Sequence, residues 1–457
     1  MPLSLGSTTI GEIYLGSTKI GEAYQGSTLV YQSAPALPAY TVQFVFDNPA
    51  YPPTEFGTGW KSGAVWTQVS ATESYLGGDT TKPQAYVWNY TRANADWSQE
   101  FHVSNRPRIL VGFKISKANL VDVTSLDELF YGQNNLKEVH LGNLTAIASG
   151  NFRLFEGCSS LQSVYIGTLG NANTTYGSSD YIAVDGQDGT FGAALPNVAE
   201  ISIGDVYIPV MYNSGSGFAG SKIRSFSSGN WYNQESFYGM FYNAGQYANT
   251  SPGDELEIRL GDMPEAVNLS QMFMDSAYIH LRMGSCPKVT NLDSMFYGSY
   301  SNTAPDIDST LVTTARYMYN DTHEITSIPD YNFPLCTDIS EFADESEKLE
   351  NAPLLKLAST CNVSRAFYAS SSDGLMSTTQ SINDIYMYYC ALGQWNGNAA
   401  QIWSQNHGGQ NPYDYFRVAG NHSGIRTDAG HQDALRYFGS GTTSGWPLGV
   451  PQDWSGY

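Results

Sequence analysis

The chain has 457 residues, 14% charged and 41% hydrophobic, with 22 Lys and Arg against 43 Asp and Glu and a formal net charge of −21. An acidic chain without a Lys/Arg run lacks the electrostatic footprint of nucleic-acid binding and of attachment to an anionic membrane surface. Its 20 Phe, 9 Trp and 32 Tyr supply ample apolar area for a core, which excludes a disordered chain.

The first element is a ten-residue repeat over residues 1–32. Leu5-Gly6-Ser7-Thr8-Thr9-Ile10-Gly11-Glu12-Ile13-Tyr14 recurs from Leu15 and, shortened, from Gln25. Gly followed by Ser-Thr favours tight turns, and the β-branched and aromatic residues between them favour short strands. Each unit is too small to bury a face alone. The repeat therefore reads as a β-ribbon that docks on a partner or on copies of itself, through Ile10, Tyr14, Ile20, Tyr24, Val30 and Tyr31. The alternative is a plain β-meander packed on its own chain. No basic, apolar leader precedes the ribbon, and no run of about 18 apolar residues occurs later, so neither a secretory signal nor membrane insertion is expected.

A Pro-bearing linker, residues 33–38, leads to a small β-domain over 39–118. Residues 40–46 and 85–91 alternate with period two, residues 108–115 form a third apolar run, and Gly, Pro, Asn and Thr clusters separate them. That pattern predicts antiparallel strands, as a sandwich or as a cap on the next segment of the chain.

A second repeat fills 119–377. Leu129-Phe130, Leu136 and Val139-His140-Leu141-Gly142 return 25 residues later as Leu154-Phe155, Leu161 and Val164-Tyr165-Ile166-Gly167. The strand part recurs at Ile201-Ser202-Ile203-Gly204, Phe226 to Gly229, Ile258-Arg259-Leu260-Gly261 and Leu281-Arg282-Met283-Gly284. Later copies keep Met272-Phe273, Met295-Phe296, Met318-Tyr319, Phe342-Ala343 and Ala366-Phe367 at steps of 23, 23, 24 and 24. A 23- to 25-residue period, with one short strand and one helical or irregular return per unit, predicts a repeat solenoid, leucine-rich-repeat-like, with short parallel strands. Longer steps near 171–179 and 244–252 mark inserted loops, which are candidates for ligand contact. Residues 378–457 are rich in Ser, Asn, Gln, Gly, Trp and Tyr and read as an aromatic, polar C-terminal cap or tip.

Three of these stretches carry a family resemblance. Val289 to Gly298 (V-T-N-L-D-S-M-F-Y-G), Phe155 to Leu161 and Ile325 to Pro329 resemble the repeat of BspA-type leucine-rich-repeat surface proteins, over about residues 120 to 375. The decapeptide opening resembles the short N-terminal Gly-Ser-Thr repeats of bacteriophage virion proteins, tail- or head-fibre-like, which also display such repeats. Together these resemblances imply synthesis in the host cytoplasm, release by lysis and a place on the virion surface.

Motifs of catalysis are missing: there is no P-loop, no nucleophile elbow and no His-Glu-x-x-His. Asp306 with Asp308, Asp185 with Asp188, and His407, His422 and His431 near Asp428 and Asp433 are the best acid/base or metal candidates, and each reads more simply as solvated surface. No enzyme, cofactor or metal site is expected. Cys158, Cys286, Cys336, Cys361 and Cys390 contain no Cys-x-x-Cys and read as buried free thiols.

The repeat register singles out one face. Glu138/His140, Ser163/Tyr165, Glu200/Ser202, Ser225/Ser227, Glu257/Arg259 and His280/Arg282 should form two outward columns on a parallel sheet, with Glu138, His140, Tyr165, Arg259, His280 and Arg282 as the ligand-binding candidates. The simpler alternative is that these residues only keep the sheet soluble. The expectation is a non-enzymatic virion structural and adhesion protein, in several copies per particle and potentially a homo-oligomer. It would dock to other virion proteins through 1–32 and bind a host-surface glycan or protein. A bacterial cell-surface adhesin, a capsid decoration protein without receptor binding and a glycan-cleaving enzyme are the alternatives.

Overall fold

The computed structural model describes residues 37–46, 65–69, 86–98, 100–102, 113–147, 154–176, 182–183, 197–211, 218, 222–245, 255–346, 348–349, 355–357, 361–362 and 366. For short strands within 4–32 it describes the backbone. Three antiparallel hairpins open the chain: β1 (Ser4–Leu5) with β2 (Thr8–Thr9), β3 (Ile13–Leu15) with β4 (Thr18–Ile20), and β5 (Glu22–Gln25) with β6 (Thr28–Gln32). The registers Leu5↔Thr8, Leu15↔Thr18 and Gln25↔Thr28 leave one Gly-Ser dipeptide between the strands of each hairpin. Ile10 and the side chains of Tyr14, Ile20, Tyr24, Val30 and Tyr31 lie outside the described residues, as do the greater part of the linker, Cys390, Asp185, Asp188 and everything in 378–457.

The body is one open sheet of ten mostly parallel strands, and the described residues contain no helix. Its strands are β7 (Thr41–Phe46), β8 (Val65–Val69), β9 (Tyr86–Thr91), β10 (Phe113–Asn119), β11 (Leu136–Leu141) and β12 (Ser163–Ile166), and then β14 (Glu200–Ile203), β16 (Ser225–Ser228), β17 (Leu256–Leu260) and β18 (Ile279–Met283). A short parallel pair, β13 (Ile182–Ala183) with β15 (Val210–Met211), lies outside this sheet. The sheet order is β18-β17-β16-β14-β12-β11-β10-β7-β9-β8. The four strands of the 39–118 segment join the repeat strands without a break, because β10 pairs antiparallel with β7 on one side and parallel with β11 on the other. That segment thereby covers the first repeat. Beneath it Arg92 Nη1 meets Glu100 Oε2 at 2.6 Å and Tyr90 donates to the same carboxylate, with Glu100 fully buried.

Period-two alternation builds the repeat core. Val139, Leu141, Val164, Ile166, Ile201, Ile203, Phe226, Ile258 and Leu281 point inward and are buried, while their sequence neighbours face out. Opposite the strands, each repeat returns through consecutive turns whose aromatic anchor stacks on the next. Phe241, Phe273, Phe296 and Tyr319 succeed one another at centroid distances of 5.5, 5.1 and 5.2 Å with near-parallel rings. Backbone bonds hold this stack in register, from Phe273 N to Met295 O, Phe296 N to Met318 O and Tyr319 N to Phe342 O at 2.7–2.8 Å. These are the 23- and 24-residue steps read from the sequence.

Two backbone devices let neighbouring repeats come so close. A glycine comes after each of the ten-stranded sheet's parallel strands β11, β12, β14, β16, β17 and β18, and a Cβ placed on Gly261 would lie 2.5 Å from the carbonyl carbon of Gly229. In the turns, left-handed residues come in pairs four apart, as at Gln271 and Asp275 (φ 55° and 53°) or Tyr317 and Asp321 (φ 58° and 53°). A separate column of single parallel bridges, Ser236↔Asn268↔Asn291↔Thr314↔Asp338↔Asn362, runs on through the later repeats, where the ten-stranded sheet has ended at β18 and the described strands are the short pair β19 (Asn332–Phe333) with β20 (Lys356–Leu357). Pro305 and Pro329 stand 24 residues apart in this stretch, and a residue without an N–H cannot extend a ladder.

Candidate functional site

The outward residues of β11 to β18 stand in two columns. One runs Glu138↔Ser163↔Glu200↔Ser225↔Glu257↔His280 and the other His140↔Tyr165↔Ser202↔Ser227↔Arg259↔Arg282. All six candidates from the sequence therefore share one sheet face, although the chain separates Glu138 from Arg282 by 144 residues. Lys114 on β10 extends the first column, in register with Glu138, but is itself buried, so the open face begins at β11. Sequence reasoning missed Lys114 because the preceding strands were read as a separate unit.

At the β11–β14 end the columns are knit together. His140 Nε2 and Glu138 Oε1 are 2.6 Å apart, the His140 ring stacks on Tyr165 with centroids 4.3 Å apart, and Tyr165 donates to Glu200 Oε2 at 2.5 Å. The hydrogen bond from His140 holds the Glu138 carboxyl below its usual range, against the upward pull of burial and with help from Lys114. Burial, and then the Glu200 carboxylate, push the Tyr165 phenol up, so it stays a neutral donor at physiological pH. A groove of about 480 Å³ opens beside this network, lined by Lys137, Ser160, Gln162, Ser163, Asn197 and Glu200. Toward β17 the side chains shrink, and Ser227 donates to Ser202 at 3.0 Å. Beyond the serines stand Arg259, with Nη2 3.5 Å from Glu257 Oε2, then His280 and Arg282.

Protein-family models, curated proteins and solved structures give no match to this chain.

The first inserted loop reaches a second groove. Thr174 and Tyr176 line about 440 Å³ together with Pro209, Tyr232 and Glu235, and Tyr207 stacks on Tyr232 with centroids 4.5 Å apart. Of the second insertion only Ala244 and Gly245 are described. Asp308, a candidate acid, accepts from Thr310 N at 3.1 Å and Thr310 Oγ1 at 2.7 Å, and those bonds lower its pKa, which is turn chemistry. His407, His422, His431, Asp428 and Asp433 lie outside the described residues. Among the described residues no group of three or more His, Cys, Asp or Glu is placed to hold a metal ion. Cys158, Cys286, Cys336 and Cys361 are buried free thiols, and burial pushes Cys286 up to about 12. A thiol of that kind is unreactive at neutral pH. What the face offers is a flat array of hydrogen-bond donors and acceptors, one aromatic–imidazole stack and exposed guanidinium groups. That set suits recognition of a polar surface.

Proposed function

We propose that this chain is a non-enzymatic adhesion protein of a bacteriophage particle, tail- or head-fibre-like. In this reading a leucine-rich-repeat-like solenoid of the BspA type is docked to other virion proteins by residues 1–32 and presents its strand face to the host surface. The observation that carries the recognition half is the pair of in-register columns from Glu138 to Arg282 over six parallel strands, half-buried along most of their length and exposed at Arg259 and Arg282. Strands about 4.8 Å apart set a regular row of polar groups, which matches an extended glycan or peptide better than a compact small molecule. The three N-terminal hairpins support the docking half, because an isolated two-stranded hairpin needs a neighbour to be stable. Several copies per particle would compensate for weak single-site affinity.

The test is binding of the tagged full-length chain, of a version lacking residues 1–32 and of Tyr165→Ala to intact host bacteria and to purified virions. The truncated protein should bind cells and lose the particles, and Tyr165→Ala should bind particles and lose affinity for cells. Absence of cell binding by the full-length chain would leave a decoration protein, and particle binding that survives the truncation would remove the docking role of 1–32.

A further inference from the structure

Charge is distributed along the repeats by a simple pattern. A cation on one repeat stands beside an acid on the next: Lys288 Nζ lies 2.6 Å from Glu265 Oε2, Lys348 Nζ 2.6 Å from Glu324 Oε2 and Lys114 Nζ 4.0 Å from Glu138 Oε1, while His280 is in register with Glu257. Arg259 and Arg282 break the pattern. They are directly opposite each other on β17 and β18, and like charges in that position destabilise a sheet. The nearby acids resolve only half of the conflict. Glu257 pairs with Arg259 at 3.5 Å, and Glu255 accepts from Asn302 Nδ2 at 3.4 Å. Among the described residues Arg282 makes no ion pair, and the Arg259 side chain is 57% exposed. Two exposed arginines in register on neighbouring strands therefore stand on a chain whose net charge is −21.

An anion placed between them would relieve the repulsion and engage both planar forks, since guanidinium groups bind carboxylate and phosphate oxygens in pairs of parallel hydrogen bonds. We infer that Arg259 and Arg282 form an anion site that takes the carboxylate or phosphate groups of a surface polysaccharide. The adjoining strip of Ser202, Ser225 and Ser227 leaves room for the neutral sugar units and offers hydroxyls to them, up to Tyr165 on β12. Three strand spacings separate Tyr165 from Arg259, about 14 Å. His280 stands two residues from Arg282 on the same strand, in register with Glu257. The inference rests on the recognition reading above and specifies its ligand.

The experiment measures binding of the full-length chain to immobilised polygalacturonate, to poly(glycerol phosphate) and to neutral dextran, and to intact host cells. The parent protein should bind one of the two polyanions and not dextran, with affinity falling as salt rises from about 50 to 300 mM. Arg259→Ala with Arg282→Ala should weaken that binding at least ten-fold without lowering the thermal midpoint, since the repulsion between them is removed, and Lys at both positions should restore only part of the binding. Preference between the two polymers tells carboxylate from phosphate. Equal affinity of parent and double-Ala protein for the polyanion, or no polyanion binding at all, overturns the anion site. In either case continued binding of both proteins to cells leaves the broader recognition reading intact, and loss of cell binding by the parent removes that reading too.

Discussion

Gly261→Ala sets two physical effects against each other, so the sign of the result is the test. Gly261 does not adopt a left-handed φ, and on backbone grounds alanine should stabilise the protein by roughly 0.4–1 kcal/mol through the unfolded chain. The stacking predicts the reverse. A Cβ here would lie 2.5 Å from both the carbonyl carbon and oxygen of Gly229 and 2.6 Å from Asn230 Oδ1. Ordinary contact needs about 3.5 Å, so the two repeats must part by roughly 1 Å. Two hydrogen bonds cross that gap, Asp262 N to Asn230 Oδ1 and Trp231 N to Asp262 O, both at 2.8 Å, and such a shift takes them out of range. Two stretched bonds at about 1 kcal/mol each and roughly 1–3 kcal/mol of overpacking outweigh the entropic gain. The net expectation is a loss of about 3 kcal/mol. Urea unfolding monitored by far-ultraviolet circular dichroism should show the midpoint falling by on the order of 1 M at constant slope. A variant as stable as the parent, or more so, would refute the claim that glycine is required by close approach between repeats.

Two further predictions concern charge. Arg92→Met leaves Glu100, which is fully buried, without its cation, and should cost about 3–5 kcal/mol in thermal unfolding; a cost under about 1 kcal/mol would refute the claim that this buried pair holds the segment together. Glu138 has a folded pKa below its ordinary 4.5, so its ionised form adds stability that is fully present above that value and is lost as pH falls through the lower folded pKa. The midpoint difference between parent and Glu138→Gln should therefore be constant above about pH 5 and shrink in more acidic buffer; a difference that widens with acid contradicts the hydrogen bond from His140 as the cause.

The repeat step and the inward–outward alternation were legible in the chain itself. Val139 and Leu141 against Glu138 and His140 are a local period of two, and the Phe273, Phe296 and Tyr319 anchors recur at steps that need no three-dimensional knowledge. Those two periods placed the six candidate residues in columns, because strands stacked in one register repeat whatever pattern a single strand carries. The hairpin positions came in the same way from Gly-Ser pairs. Contacts that join distant repeats were a different matter. Tyr165 bonds to Glu200 across an insertion of unpredictable path, and Lys114 joins the first column only because β10 bridges the antiparallel and parallel parts of one sheet.

The left-handed pairs at Gln271 and Asp275 or Tyr317 and Asp321 carry no glycine to announce them. Such a conformation costs on the order of 1 kcal/mol per residue when isolated. It persists where the next repeat supplies a partner, as Tyr297 O does for Asp275 N at 2.8 Å. The amino-acid sequence by itself determined what repeats and which side chains alternate, since both are properties of short stretches. Only the tertiary structure decided which repeats touch, how closely and with which charges opposed, since those depend on stacking between segments the chain keeps far apart.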